Sequence, residues 1–129
     1  MSVLCDAFEA VRAIAESTRP YARVDIGALP GDEGLCMAIA AGGDAERALD
    51  RGGEYTMDIV LNAKSADQRK ALEALCAIHH ALTRTAALPS GDGWQMIDLS
   101  TNGAPSYLSR EENGQWLYGS GLTARLYYD

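Results

Sequence analysis

Residues 54–62 read EYTMDIVLN, and apolar side chains recur along them at every second position. One face of the segment carries Tyr55, Met57, Ile59 and Leu61, and the other carries Thr56, Asp58 and Asn62. A period of two is typical of a β-strand with one buried face, because successive side chains of a strand point to opposite sides. This is the clearest strand pattern in the chain, and it predicts a fold organised around a sheet.

The segment after this strand has the features of a helix that packs flat on a sheet. Ser65 and Gln68 have the spacing of a capping box, in which the serine hydroxyl accepts from a backbone amide and the glutamine reaches back. Asp67 suits the positive end of the helix, and Arg84 falls in its last turn. The apolar stripe at helical spacing comprises Ala71, Leu72, Leu75, Cys76, Ile78, His79 and Leu82.

The first forty residues predict a helix and two strands. Apolar residues at helical spacing cover the start of the chain, namely Leu4, Phe8, Val11 and Ala15, and Pro20 ends this helix. Residues 22–26 alternate as a short strand, residues 30–34 form a turn, and the apolar run 35–41 predicts a second strand. Residues 44–53 are charged and glycine-ended, which favours a projecting hairpin arm or loop over a core helix.

The last third of the chain predicts strands and turns. Residues 94–100, 107–109 and 115–128 have strand character, and residues 88–93 connect them to the preceding helix. Asn113 and Gly114 fit a tight hairpin turn, and the glycines at 119 and 121 suggest a bulge in the final strand. The order of elements predicts one α+β domain over residues 1–129, with two helices packed on one face of a mostly antiparallel sheet.

Composition excludes several classes of protein. The 129 residues are 47% hydrophobic and 22% charged, which suits one globular domain, and no run approaches the roughly twenty apolar residues of a membrane helix. The net charge of -7 argues against a protein that binds nucleic acid, because such binding relies on basic side chains that neutralise the phosphates. Cys5, Cys36 and Cys76 are widely spaced, so we expect buried thiols in a reducing compartment, and the start of the chain lacks signal-peptide features.

Motifs that would indicate an enzyme are absent from the sequence. The chain has no Walker loop, dinucleotide fingerprint, nucleophile elbow or zincin helix. Cys76 and His79 share a helix face, but two ligands do not make a zinc site, and a buried structural pair is the favoured interpretation. The loop acids match no calcium-loop spacing. The motif search therefore gives no candidate catalytic residue, no cofactor and no metal site.

Aromatic residues are concentrated in the C-terminal strands. They are Trp94, Trp116, Tyr118, Tyr127 and Tyr128. Such side chains are common both in half-buried strands and at protein interfaces, because they combine an apolar body with a polar tip. The pattern fits ordinary sheet packing and a subunit contact equally well.

The order and texture of these segments resemble the tail terminator, or minor capsid, proteins of long-tailed bacteriophages and prophages. The likeness lies in the segments VDIGALP at 24–30, AAGG at 40–43, YTMDIV at 55–60, SADQ at 65–68, MIDLST at 96–101, REENG at 110–114 and LTARLYY at 122–128. It covers nearly the whole chain and rests on diffuse patterns rather than on a single motif.

This resemblance implies a non-enzymatic structural protein of the virion. Members of the family form a ring, usually hexameric, on the last ring of the tail tube, and they present a surface to the head connector. The implied partners are further copies of the chain, the tail tube protein and the head–tail connector protein, with no membrane and no specific nucleic-acid binding. The implied location is the head–tail junction of the virion, reached from the host cytoplasm during assembly. The family has no active site to transfer.

A ring-forming subunit needs two different side surfaces and two different end faces. The candidate partner-binding residues are Asp32 and Glu33 in the acidic turn, Asp44, Glu46, Arg47, Asp50 and Arg51 in the charged loop, and Tyr127 on the final strand. The edge of that final strand could extend the sheet of a neighbour. An acidic lumen would let DNA slide without sticking.

Two other functions fit the same sequence. The first is a different protein of the head–tail junction, such as a tail-completion or connector protein. The second is a small ligand-binding or enzymatic α+β domain, which a deep pocket enclosing His79 or His80 would favour.

Overall fold

The computed structural model of the chain describes residues 3–27, 29, 33–39 and 53–128. The elements, in chain order, are α1 (Val3–Glu16), β1 (Val24–Ile26), β2 (Gly34–Ile39), β3 (Gly53–Ser65), α2 (Gln68–Thr83), β4 (Ser90–Gly91), β5 (Trp94–Arg110) and β6 (Trp116–Tyr128). The predicted arm or loop at 44–53 lies outside the described residues, apart from the first residue of β3.

The strands form one six-stranded sheet in the order β1-β2-β3-β6-β5-β4, curled into a half-barrel. The α+β class is confirmed, but the sheet is mixed rather than mostly antiparallel, because β1 runs parallel to β2. The alternation of residues 22–26 fixes which side chains point inward and leaves the direction of the neighbouring strand open. The prediction of a mostly antiparallel sheet was therefore wrong at this edge.

The predicted alternation of β3 and β6 is confirmed at the centre of the sheet. The two strands pair over their full lengths, with Met57 opposite Ala124 and Ile59 opposite Leu122. These four side chains are buried, whereas Thr56 and Asp58 between them are exposed. Among the described residues, the sheet thus has one apolar face against the helices and one face that no helix covers, which we call the open face.

The two helices pack differently from the prediction. Helix α2 lies across β3, β5 and β6, and its buried side chains include Leu75, Ile78 and Leu82. Helix α1 contacts mainly α2 and reaches the sheet only at its margins, where it meets β1 and β4. The prediction that both helices pack on one face of the sheet is therefore correct only in part, because α1 packs mainly on α2 rather than on the strands.

The start of α2 differs from the predicted capping box. Asp67 is the N-cap residue, and its side chain accepts hydrogen bonds from the backbone amides of Arg69 and Lys70. Ser65 is still part of β3, and Gln68 donates to the Tyr118 hydroxyl at 2.6 Å instead of reaching back. An aspartate accepts from the first-turn amides as well as a serine does, so the helix begins later than the box predicts.

The C-terminal strands are longer than predicted. The segments at 94–100 and 107–109 belong to one strand, β5, and the connector at 88–93 contains β4. Strand β6 is unbroken at Gly119 and Gly121, and the register shifts lie opposite, in β5. Gly114 has φ of 85° in the turn between β5 and β6, which supports the predicted hairpin.

Candidate assembly surfaces

Two of the eight predicted partner-binding residues, Glu33 and Tyr127, fall within the described part of the chain. The other six, which are Asp32, Asp44, Glu46, Arg47, Asp50 and Arg51, lie outside it.

Glu33 is tied into the structure rather than projecting from it. Its Oε1 pairs with the Lys70 ammonium at 2.7 Å, and its Oε2 accepts from the Ser65 hydroxyl and from the amide of Ala66. The hydrogen bonds from Lys70, Ser65 and Ala66 lower the pKa of the Glu33 carboxyl to about 2. The acidic turn therefore fastens the start of β2 to the start of α2, and Glu33 stays ionised at neutral pH.

Tyr21 lies beside Glu33 and Lys70 and adds hydrogen bonds where the starts of β2 and α2 meet. Its hydroxyl lies 2.8 Å from the carbonyl oxygens of Gly34 and Lys64, and the Lys70 ammonium lies 4.9 Å from the centre of its ring. Burial raises the pKa of Tyr21 to about 12, so the phenol remains a donor. The contacts of Glu33, Lys70 and Tyr21 therefore hold β2, β3 and α2 together at this end of the sheet.

Tyr127 lies on the open face and is 54% exposed. Polar side chains surround it there: Arg125 pairs with Glu54, and Thr123 donates to Asp58 at 3.0 Å. Alternation along β6 places Tyr127, Arg125 and Thr123 on this face, as the sequence predicts. The open face thus presents one large aromatic among charged and hydroxyl groups.

The edge of the final strand is not free, which corrects the prediction that it extends a neighbour's sheet. Strand β6 lies between β3 and β5, so both of its edges are paired. The margins of the described sheet are β1 on one side and, on the other, β5 beyond the two residues that β4 covers. The chain order of strands does not reveal their spatial order, which is why the sequence misled here.

The two marginal strands are protected in different ways. At β1, the amide of Val24 donates to Glu16 Oε1 at 2.8 Å and its carbonyl accepts from Arg12 Nε at 2.7 Å. At β5, the register shifts several times and Pro105 removes a backbone donor. Capping side chains, bulges and proline all oppose edge-to-edge strand pairing.

A shallow apolar groove of about 240 Å³ lies on the open face, between β3, β5 and β6. Its floor is built from Gly103, Gly119 and Gly121, and Val60 and Leu108 form part of its walls. A Cβ atom at Gly119 would come within 2.7 Å of Leu108 Cδ1. These glycines therefore let side chains of β5 lie across β6, rather than producing the bulge in β6 that the sequence suggested.

His79 is buried and joins α2 to two strands. Its Nδ1 lies 3.0 Å from the Ser120 hydroxyl, and its Nε2 lies 2.8 Å from the Thr101 hydroxyl. Cys76 is exposed on another face of α2, so the two residues form neither a metal pair nor a nucleophile and base. Larger cavities on the surface, of about 390 and 320 Å³, are lined by neither His79 nor His80.

The prediction of three buried thiols was wrong for two of them. Cys5 and Cys76 are exposed, and only Cys36 is buried, in β2. Helical spacing placed Cys76 beside the buried stripe, but the helix turns it away from the sheet. Burial raises the pKa of the Cys36 thiol.

The burial of His79 predicts a pH dependence of stability. Burial lowers its pKa below 6.5, so the folded chain holds it neutral while the unfolded chain takes up a proton as the pH falls. Stability contributed by neutral His79 is therefore lost as the pH drops from above 6.5 through the lowered pKa. We expect the urea midpoint to fall less between pH 7.5 and 5.5 in His79→Gln than in the unsubstituted protein. His80→Gln, at an exposed neighbouring position, should keep the full pH dependence, and an equal dependence in His79→Gln would contradict the assignment.

Among residues 3–27, 29, 33–39 and 53–128, no three histidine, cysteine, aspartate or glutamate side chains are grouped so as to hold a metal ion. Of the helices described, neither is long and apolar enough to cross a membrane.

A solved virion structure contains a chain with a similar fold. No protein-family model matches the chain, and no curated protein matches it. A chain in the solved structure titled "Virion of native gene transfer agent (GTA) particle" has a similar fold, with a TM-score of 0.61 and 16% sequence identity. The match covers 98% of this chain and 95% of that chain. The two proteins therefore share a fold over essentially their whole lengths.

Proposed function

We propose that this chain is a structural protein of a phage-type virion, and that within the virion it acts as a tail terminator. It would cap the completed tail tube as a ring and offer the surface that joins the tail to the head. The fold likeness to a chain of a gene transfer agent virion carries this proposal, because the match covers 98% of this chain and 95% of a protein that belongs to a virion. The resemblance of the sequence to tail terminator proteins supports the same role.

The geometry of the sheet supports ring formation. Subunits of a ring meet through two different surfaces, one on each side. The two margins of this sheet differ in this way: at β1 the side chains of α1 cap the backbone of Val24, whereas β5 has no described strand on its outer side beyond Met96, whose amide donates to the carbonyl of Pro89. A subunit with two unlike sides is suited to head-to-tail contacts.

The two ends of the sheet also differ. Glu33 precedes β2 at one end, and the chain leaves β2 at Ile39 and enters β3 at Gly53 at the other end. In a ring these two ends become its opposite faces. We propose that one face meets the tail tube protein and the other meets the head–tail connector protein. The protein would then lie at the head–tail junction of the virion. We propose no enzymatic activity and no cofactor for it.

The mass of the purified protein over a wide concentration range tests ring formation. Light scattering with electron microscopy should find closed rings of about six copies in the heaviest species, because head-to-tail contacts that close give a ring. A two-fold dimer, an open fibre or a monomer at every concentration would contradict this part of the proposal. Binding to isolated heads but not to tail tubes would favour a connector protein instead.

A further inference from the structure

We propose that α1 is a detachable cover for the outer edge of β1. The segment that carries it, residues 3–20, leaves the rest of the structure as a unit before the sheet opens, and its departure exposes the backbone of Val24. This property of the chain does not depend on the proposed ring.

Helix α1 lies outside the main interface between helix and sheet. It packs on α2 and meets the sheet chiefly at β1 and β4, whereas α2 contacts β3, β5 and β6 directly. The core between α2 and these three strands therefore stays in place when α1 leaves. Undocking of α1 is thus a local opening, of the kind that costs less free energy than unfolding of the whole chain.

The buried side chains of α1 are mostly small. Those that the structure describes are Ala7, Phe8, Val11 and Ala15. Three of these four are alanine or valine, whereas the buried side chains of α2 include Leu75, Ile78 and Leu82. The free energy gained by burial scales with apolar area, so docking stabilises α1 less than α2.

Two polar side chains of α1 bind the backbone of β1. Arg12 Nε donates to the carbonyl of Val24 at 2.7 Å, and Glu16 Oε1 accepts from the amide of Val24 at 2.8 Å. Arg12 and Glu16 also pair with each other at 3.5 Å. Both side chains are partly exposed to water, which weakens such contacts. They hold α1 at the margin of the sheet, and α1 in turn occupies both backbone groups of Val24.

The chain is anchored to the sheet again just after α1. The Tyr21 hydroxyl lies 2.8 Å from the carbonyl oxygens of Gly34 and Lys64. Between the helix and this anchor, Arg19 has φ of 55°, a left-handed conformation that costs a residue with a side chain free energy. Release of α1 lets Arg19 leave this conformation. Residues 17–20 are therefore the hinge.

Departure of α1 changes the β1 edge. The amide and the carbonyl of Val24 lose their partners, and Ile26 on the same strand is already exposed. A sheet edge with free donors and acceptors can pair with an extended strand. The docked helix is therefore an autoinhibitory contact that keeps β1 from strand pairing.

Thiol labelling of buried cysteines tests the undocking. In a background carrying Cys5→Ala and Cys76→Ala, the variants are Ala7→Cys and Ala15→Cys on α1, with Ala124→Cys on β6 as the matched control. All three alanines are 0% exposed, so labelling requires an opening. We expect both α1 cysteines to be labelled at one common rate, about tenfold faster than Ala124→Cys. Their rates should also depend less on urea, because a local opening exposes less surface.

Cys36 provides an internal reference, because it is buried in β2 and is present in every variant. It should be labelled slowly, as Ala124→Cys is. Labelling of Cys36 as fast as the α1 cysteines would show that α1 leaves only when the whole fold opens, and would overturn the proposal. Fast labelling of Ala7→Cys with a protected Ala15→Cys would indicate fraying of the helix start and would contradict undocking as a unit.

Arg12→Met tests the contact that holds the cover. The substitution keeps a long side chain but removes the donor to Val24, so labelling of both α1 cysteines should become about fivefold faster. Arg69→Met removes an exposed ion pair with Glu73 on α2 and should leave these rates unchanged. Equal rates in the two variants would refute the role of Arg12.

Hydrogen exchange of the unsubstituted protein gives a readout that needs no new cysteine. The amide of Val24 should exchange at the rate of the α1 amides, because one opening frees them all. Amides in the centre of β3 and β6 should exchange more slowly. A Val24 amide as well protected as those strands would contradict the proposal that α1 uncovers this edge.

Discussion

Replacing Leu75 with alanine is expected to lower the free energy of unfolding by about 3 kcal/mol, because the substitution removes a side chain from the centre of the core and leaves a cavity. Leu75 is 1% exposed and lies on α2, the helix that covers β3, β5 and β6. Urea unfolding followed by circular dichroism measures the loss. Cys76→Ala is the matched control, since Cys76 is exposed on the same helix, and its effect should stay within about 0.5 kcal/mol. Equal effects at the two positions would mean that α2 does not present this face to the sheet.

Glu111→Gln is expected to lower the free energy of unfolding by about 2 kcal/mol, because it leaves the Lys64 ammonium buried without its counter-charge. The Lys64 side chain is 8% exposed, and its ammonium pairs with Glu111, whose own side chain is 40% exposed. Water reaches the carboxylate, so the loss is smaller than for a fully buried pair. Glu112→Gln, one residue along the same turn, should change stability by less than about 0.5 kcal/mol.

The double variant Lys64→Met with Glu111→Gln separates the buried charge from the loss of packing. An apolar side chain of similar length removes the charge that Glu111 neutralises, so the double variant should regain much of the stability lost in Glu111→Gln. A double variant less stable than Glu111→Gln would show that Lys64 contributes through its own contacts. Chemical denaturation at pH 7 measures the free energy of unfolding of Glu111→Gln, Glu112→Gln and the double variant.

The parts of the fold that the sequence predicts are those governed by side-chain period. The alternation in residues 54–62 and 122–128 places Met57, Leu122 and Leu126 in the core. The helical spacing of residues 71–82 likewise predicts the buried face of α2, apart from the exposed Cys76 and the half-buried Leu72. Period decides which face is apolar, and burial of that face is the largest driving force in folding.

The parts that the sequence does not predict depend on contacts distant along the chain. The parallel direction of β1 relative to β2 is one example. The hydrogen bonds of Arg12 and Glu16 to the backbone of Val24 are another, since neither residue type indicates such a role locally. Residues 101–106 have the composition of a turn, yet they remain in β5 because bulges and a marginal position accommodate Gly103 and Pro105. Spatial strand order, which places β6 inside the sheet, is equally absent from local pattern.

The candidate assembly surfaces also combine features that local pattern predicts with features that depend on distant contacts. Alternation along the final strand correctly predicts that Tyr127 is exposed. Glu33 looks like a free loop acid in the sequence, but Lys70 lies thirty-seven positions away and binds it in the fold. Tyr107 and Leu108 were predicted only as part of a strand, and in the fold Leu108 lies over Gly119 while the Tyr107 ring packs near Tyr118. Both side chains remain about half exposed. Surfaces formed by strand order are thus visible only once the sheet is assembled.

Electron microscopy of tail tubes mixed with this protein tests the central claim most directly. The tubes are those built by the tube protein of the same particle. We predict a ring of this protein at one end of each tube and an arrest of further tube growth. Tubes that keep growing with bare ends, or protein bound along their length, would contradict the proposal that this chain terminates tails.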